Sequence, residues 1–277
     1  RGVSAYPSDV TWQMVGNFLT GGAAVSVLAR QHGIAQTVVD CGVRHDFDAA
    51  AAPGLLTRKI APGTADSSRG PAMTLAQCQQ AIANGRDVVR ALPGNALLLG
   101  EMGIGNTSAA ALLLARLGGL DVADSTGAGT GLDAAGIARK TAVLREALAA
   151  NASATAPLDA LAALGGFEIA TMAGAVLEAA AGRRVIVVDG FIASSAVLVA
   201  SRLAAPVLQR CVFAHRSSEA AHARMLALLG AEPLLDLGLR VGEGSGAALA
   251  WPLLESACRI LNQMASFESA GVSDKAR

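Results

Sequence analysis

Three segments of this chain repeat one plan: four consecutive apolar residues, a short polar or glycine-rich junction, then an alanine- and leucine-rich stretch of helical length. They are ALLLGEMGIGNTSAAALLL from Ala96, VIVVDGFIASSAVLVA from Val185, and CVFAHRSSEAAHARMLALL from Cys211. A strand that is apolar at every position is buried on both faces. Such strands alternating with helices fit a parallel sheet covered on both sides. Right-handed crossovers then bring the carboxyl ends of the strands to one edge. The loops GEMGIGN, DGF and HRSS fall at that edge, where ligands of open α/β sheets bind.

The rest of the chain extends this α/β pattern. Thr37–Val43 (TVVDCGV) predicts a further buried strand. Thr11–Arg30 predicts helix with a break or close-packing point at Gly21-Gly22. Helices are also predicted over Thr74–Leu92, Thr107–Leu117, Asp133–Ala150, Ile169–Ala181, Ser194–Ala204, Ser218–Leu229 and Gly246–Ser266, the last with Pro252 in its early turns. Asn106 or Thr107, and Ser217 or Ser218, are candidate helix caps. The Ala-, Pro-, Gly- and Ser-rich stretch between Val43 and Gly70-Pro71 predicts a long surface excursion. Asp121–Gly131 predicts a glycine-rich turn region.

Composition excludes several function classes. Hydrophobic residues are 52% and charged residues 16%, which is the balance of an ordered chain with a large core. A net charge of +0 and 3% aromatic residues give neither the field nor the stacking platforms for nucleic acid. Cys41, Cys78, Cys211 and Cys258 form no C-x-x-C, and the four histidines form no H-x-x-x-H. Reduced thiols are expected, with neither a disulfide framework nor a protein-built metal site. The apolar window Val185–Ala205 is interrupted by Asp189 and Arg202, against a membrane span. Arg1-Gly2-Val3 has no Met and no apolar leader, so no signal peptide is expected and the start reads as lying inside a longer protein.

Candidate site residues sit in the glycine-rich junctions. Gly100–Thr107 places backbone N–H groups at a helix start, either as an anion cradle or as a tight strand-to-helix turn. The spacing matches neither a dinucleotide fingerprint nor a P-loop. Glu101 opens this loop, an odd place for a carboxylate if the guest is an anion. Glu243 lies between Gly242 and Gly244 just before a helix, where it is either exposed for chemistry or a favourable first-turn charge. Gly127–Asp133 offers another cradle, with Arg139 and Lys140 downstream as candidate phosphate ligands. Asp189 ends its strand at the ligand edge, where a carboxylate hydrogen-bonds loops. Trp12 and Met14 read as core residues or as walls of a flat apolar pocket.

GEMGIGNTSAAA, the lysine of GIARKTAVL, VVDGFIASSA, HRSSEAAH and VGEGSGAALAWPLLESA, in that order, resemble the nicotinate-nucleotide–dimethylbenzimidazole phosphoribosyltransferase family. The resemblance runs from SAYPSDVT to the final helix. It implies transfer of 5-phosphoribosyl from nicotinate mononucleotide to 5,6-dimethylbenzimidazole, with inversion at C1′, in cobalamin biosynthesis. It implies a Rossmann-like α/β domain over residues 31–245 and a small helical domain from residues 1–30 and 246–277. It further implies a cytoplasmic homodimer without cofactor or metal, and a family segment with an A-D-H-G-like motif ahead of this chain's start. Glu243 would be the general base, and Glu101 a second acid near the ribose hydroxyls or anomeric centre. Gly103, Asn106, Gly129, Lys140, Ser217 and Gly242 would hold the phosphoribosyl group. Tyr6, Met14, Met102 and Val241 would line the benzimidazole pocket. A related transferase using another aromatic base, and a non-catalytic nucleotide-binding module, stay open as alternatives.

Overall fold

The computed structural model of the chain describes residues 1–50, 52–129 and 131–273. Five short strands and eleven helices alternate among them. Helices α1 (Val10–Leu19) and α2 (Ala24–Gln31) replace the single segment expected, and the chain turns at Gly21, whose φ is +78°. Strands β1 (Val38–Asp40) and β2 (Leu55–Thr57) pair in parallel, with Val38 opposite Leu55. β2 lies inside the stretch predicted as a surface excursion. Helix α3 (Leu75–Ala91) opens with a capping box: the Gln77 N–H donates to Thr74 Oγ1 at 3.1 Å, and the Thr74 N–H donates to Gln77 Oε1 at 2.9 Å.

Strand β3 (Ala96–Leu98) leads to α4 (Asn106–Gly118), followed by the single turn α5 (Val122–Ser125) and by α6 (Ala134–Ala150). Then come α7 (Pro157–Leu164), α8 (Phe167–Ala181), β4 (Val185–Val188) and α9 (Phe191–Leu203). A 3-10 turn over 205–210 leads to β5 (Cys211–Phe213), α10 (Ala220–Leu229) and α11 (Ser245–Gln263). The sequence pattern predicts no helix at α7. It starts with Pro157, a favoured first helical residue, but every residue from Ala160 to Leu164 is buried, so it shows no amphipathic period.

Strands β3, β4 and β5 form a parallel sheet in that order, with Leu97 opposite Ile186 and Val187 opposite Val212. Thus the structure has two parallel sheets in place of the single one expected. Residues alternate across β4. Ile186 and Val188 join the main core with α4, α8 and α9, whereas Val187 meets Ala247 and Ala250 of α11. Ile186, Val187 and Val188 are each 0% exposed, the two-sided burial read from the sequence, and only the first residue of β4, Val185, is open. Among the described residues no helix is long and apolar enough to cross a membrane.

Helices α3 and α8 make a close crossing through a reciprocal pair of glycines. A Cβ on Gly85 would lie 1.8 Å from the Thr171 carbonyl oxygen, and one on Gly174 would lie 2.0 Å from that of Ile82. Both obstacles are backbone, so the helices themselves must separate to admit a methyl group. Gly174→Ala is therefore expected to lower stability by about 1–3 kcal/mol through overpacking. The measurement is thermal unfolding, with the fold of the remaining native population checked by circular dichroism.

Candidate active site

The end of β3 and the starts of α2, α4, α8 and α11 meet around one cavity of about 1010 Å³. Glu101, Glu168 and Glu243 line it, as do Met102, Gly103 and Asn106. From this end the cavity runs between β1 and β3, past Val39 and Leu97, to Pro93–Asn95. Its walls are largely apolar there, so it is a cleft for a flat hydrophobic body with acids at one end.

The loop before α11 is threaded against the loop after β3. The Glu243 N–H donates to the Glu101 carbonyl at 3.2 Å. A Cβ on Gly100 would lie 2.4 Å from the Glu243 carbonyl oxygen, so only glycine permits this approach. Glu243 itself has φ +69°, a left-handed conformation unusual for a residue with a side chain. Its carboxylate lies near the backbone N–H groups of Val25 and Ala24, which favour its charged form, at the start of α2, whose own N-cap Ala23 offers no side-chain acceptor. Its Oε2 is buried and has no hydrogen-bond partner. Burial raises the Glu243 pKa above the ordinary carboxylate value, the two N–H groups oppose the rise, and Asp189 adds to it.

Glu101 keeps part of its surface open to the cavity and is otherwise packed in protein. That desolvation pushes its pKa up to about 8; the Asn106 amide pulls it down, and Glu168, Asp189 and Glu243 push it further up. Asn106 does not cap its helix. The N-cap of α4 is Gly105, and the Asn106 side chain donates to Glu101 Oε2 and also favours the charged form of Glu168. Glu168 is a site residue that the sequence reading misses. Its signal is the Gly165-Gly166 pair ahead of it, the same glycine framing that marks Glu101 and Glu243.

A second cavity of about 20 Å³ lies on the other side of the Gly103–Asn106 loop, closed by Thr107, Ala128 and Gly129. Lys140 of α6 is only 1% exposed and donates to Thr107 Oγ1 at 2.8 Å. Burial pushes its amine down to about 8, and Glu219 pulls it back up. Glu219 accepts the Gly129 N–H, leaving Oε2 without a partner. Ser217 Oγ takes the Glu219 N–H at 3.1 Å; neither Ser217 nor Ser218 caps α10, which has Glu219 at that position. Gly242 flanks Glu101: a Cβ there would lie 3.8 Å from its Oε1.

The structure therefore gathers Glu101, Glu243, Met102, Gly103 and Asn106 at the large cavity and Gly129 at the small one; Gly242 lines neither but flanks Glu101, and Lys140 lies behind the small cavity, reaching its wall through Thr107. Ser217 lines neither and reaches the small cavity only through Glu219. Tyr6, Met14 and Val241, expected at a benzimidazole pocket, also line neither cavity. Tyr6 and Val241 lie on exposed loops, 52% and 53% accessible, and the Met14 sulfur accepts from Asn17 Nδ2 on its own helix. Val25, Met172 and Trp251 supply apolar wall instead. Among the described residues no group of three His, Cys, Asp or Glu side chains is placed to hold a metal ion.

A phosphoribosyltransferase family model matches residues 1–272. A nicotinate-nucleotide–dimethylbenzimidazole phosphoribosyltransferase of Variovorax paradoxus is 74% identical over 275 residues, covering 99% of this chain and 78% of the relative. The protein of that name from Dechloromonas aromatica is 58% identical over 280 residues, covering 99% and 80%. The crystal structure of CobT from Thermus thermophilus superposes with a TM-score of 0.94 at 44% identity, covering 99% of this chain and 82% of that one.

The raised Glu101 pKa couples stability to pH. At pH values below 4.5 the carboxyl is protonated in folded and unfolded chains alike; between 4.5 and about 8 only the unfolded chain releases the proton, so stability falls as pH rises. The penalty is complete above about 8. Glu101→Gln is expected to unfold at a midpoint at least about 2 °C above the parent near pH 9, and at an equal or lower midpoint near pH 4. Thermal melts at the two pH values measure the difference.

Proposed function

Because the chain belongs to the nicotinate-nucleotide–dimethylbenzimidazole phosphoribosyltransferase family, we propose how its own residues divide the work of that reaction. The enzyme moves the 5-phosphoribosyl group from nicotinate mononucleotide to 5,6-dimethylbenzimidazole and releases nicotinate. One benzimidazole nitrogen bonds to C1′ as the bond from C1′ to the pyridinium nitrogen breaks. The breaking pair returns to the nicotinate ring, which leaves without needing a proton. The proton on the other benzimidazole nitrogen goes to a base.

Glu243 is that base. The observation that carries this reading is the place of Glu243 in the lining of the large cavity beside Glu101, with its backbone N–H held on the Glu101 carbonyl and its carboxylate near the α2 N–H groups. A pKa above the usual carboxylate range brings the base closer to the working pH, which favours proton transfer in the transition state. Attack from the face opposite nicotinate inverts C1′. Holding two flat rings on either side of one carbon supplies much of the rate.

The Gly103–Asn106 loop is a wall common to both cavities. The phosphate belongs in the small cavity, with Lys140, Gly129 and the start of α4 around it. The ribose bridges the wall toward Glu101, and the rings belong in the large cavity beside Met102 and Gly242. The carboxylate that opens this loop thus stays on the side away from the anion. Residues 31–245 form the catalytic domain in this reading, and Glu243 sits where α2 and α11, from the chain's two ends, reach it. A homodimer is supported by the exposed apolar residues Leu261, Met264 and Phe267 near the end of the chain. A cytoplasmic location is supported by four cysteines without disulfide partners.

Glu243→Gln is expected to lower kcat by about 10²–10⁴-fold while leaving KM for nicotinate mononucleotide nearly unchanged. Turnover at the parental rate removes Glu243 as the base. Lys140→Ala should raise KM for nicotinate mononucleotide by about tenfold, the loss of one charge-assisted contact. Steady-state release of nicotinate measures both, and an unaltered KM would place the phosphate elsewhere.

A further inference from the structure

Asp189 follows β4 directly, is 2% exposed, and lines neither cavity. Its Oδ2 accepts the N–H of Gly244 at 3.1 Å, and its Oδ1 accepts the N–H of Ala247 at 3.0 Å. These are the N–H groups that open α11, whose own N-cap Gly244 has no side chain to serve them. His215, 3% exposed, closes the cluster from behind with Nε2 at 3.5 Å from Oδ1. The His215 ring also packs flush on the first turn of α11: a Cβ on Gly246 would lie 2.0 Å from its Cδ2.

The residue immediately before this grip is Glu243. It is one of two non-glycine residues with positive φ among those described. A side chain in that region is strained, and strain of this kind persists only where the surroundings over-determine it. A cap from the residue before the helix would satisfy the N–H groups and leave Glu243 free to relax. A cap from the end of β4 fixes the start of α11 to the sheet and clamps Glu243 between that anchor and the Glu101 carbonyl.

We infer that Asp189 is the positioning residue for the base: by gripping Gly244 and Ala247 it holds Glu243 in its left-handed conformation, with the carboxylate at the cavity wall. This rests on the reading of Glu243 as the base. Asp189 also acts through its charge. The groups around Glu243 are Glu101 after β3, Asp189 after β4 with His215 behind it, and the α2 N–H groups; Glu168 of α8 and Glu255 of α11 line the same cavity. Asp189 is the negative neighbour that raises the proton affinity of Glu243.

The test compares Asp189→Asn, Asp189→Glu and Glu243→Gln in the full chain. The readouts are kcat and KM for nicotinate mononucleotide, the pH profile of kcat, and the folded fraction from thermal unfolding. Asp189→Asn is expected to lower kcat per folded molecule by about 10–100-fold, with KM within about threefold of the parent. The acid limb of its profile is expected at lower pH, because removing a negative neighbour eases loss of the Glu243 proton. Asp189→Glu keeps the charge and loses the reach, so its acid limb stays near the parental position while kcat stays low. Parental kcat in both Asp189 variants overturns the inference. So does a loss explained by the folded fraction alone, with the limb of Asp189→Asn unmoved. Inactive Glu243→Gln beside fully active Asp189 variants rejects the positioning role and leaves the base intact; active Glu243→Gln rejects the base and the positioning role with it.

Discussion

Four helix N-termini converge on a cavity lined by four glutamates, three of which, Glu101, Glu168 and Glu243, sit at those helix starts. Glu243 lies against the start of α2 and immediately ahead of α11, Glu101 is tied to the first residue of α4, and Glu168 sits in the first turn of α8. Each helix start contributes about half a positive charge and a set of unserved N–H groups. That convergence lets these three acids share one apolar cleft, and among the described residues no lysine or arginine is bonded to any of them. It neutralises them incompletely: Glu101, Glu168 and Glu243 all hold their protons more tightly than ordinary carboxylates do. A site built from helix dipoles is fixed before any ligand arrives, so little reorganisation is needed when charge develops.

The opposite polarity is built on the far side of one loop. Lys140 is buried, with the Glu219 carboxylate as its counter-charge and a threonine hydroxyl as its hydrogen-bond acceptor, which leaves its ammonium under-served. The Gly103–Asn106 segment thus separates an acid-lined space from a cationic one by the thickness of a backbone. Nicotinate mononucleotide is itself polar in this sense, with a pyridinium ring at one end and a phosphate at the other, the asymmetry on which the proposed placement rests.

Much of this is legible in the residues, and the exceptions have physical causes. The apolar run at Val185 announces the two-sided burial of the central strand, since no alternation is possible when both faces are covered; the runs at Ala96 and Cys211 form the flanking strands β3 and β5 and are only partly buried. The glycine-framed acids Glu101 and Glu243 stand out because such junctions give them little packing role. β2 is hidden because Leu55–Thr57 is three residues long, inside a stretch of Ala, Pro, Gly and Ser. α7 is hidden because full burial removes helical periodicity. Asn106 and Ser217 look like caps and are not: Asn106 is already inside its helix and its amide turns back to the Glu101 carboxylate, and Ser217 lies two residues ahead of the N-cap Glu219, whose N–H its hydroxyl accepts. Tyr6, Met14 and Val241 have pocket chemistry, but position along the chain does not say which way an exposed loop or a helix face turns. Glu219 beneath Lys140 illustrates the same gap, since only the fold brings the two together.

The direct backbone contact between Glu101 and Glu243 has an evolutionary consequence. Because main-chain atoms, with the Asp189 grip on the start of α11, tie the two acids together, the distance between their attachment points does not depend on the side chains of the apolar wall. The apolar wall, by contrast, comes from residues such as Val25, Met172 and Trp251 on other elements. Drift in those residues reshapes the room available to an incoming ring and leaves the proton chemistry where it was. A scaffold arranged in this way can diversify in the bases it accepts without first losing its ability to react with them.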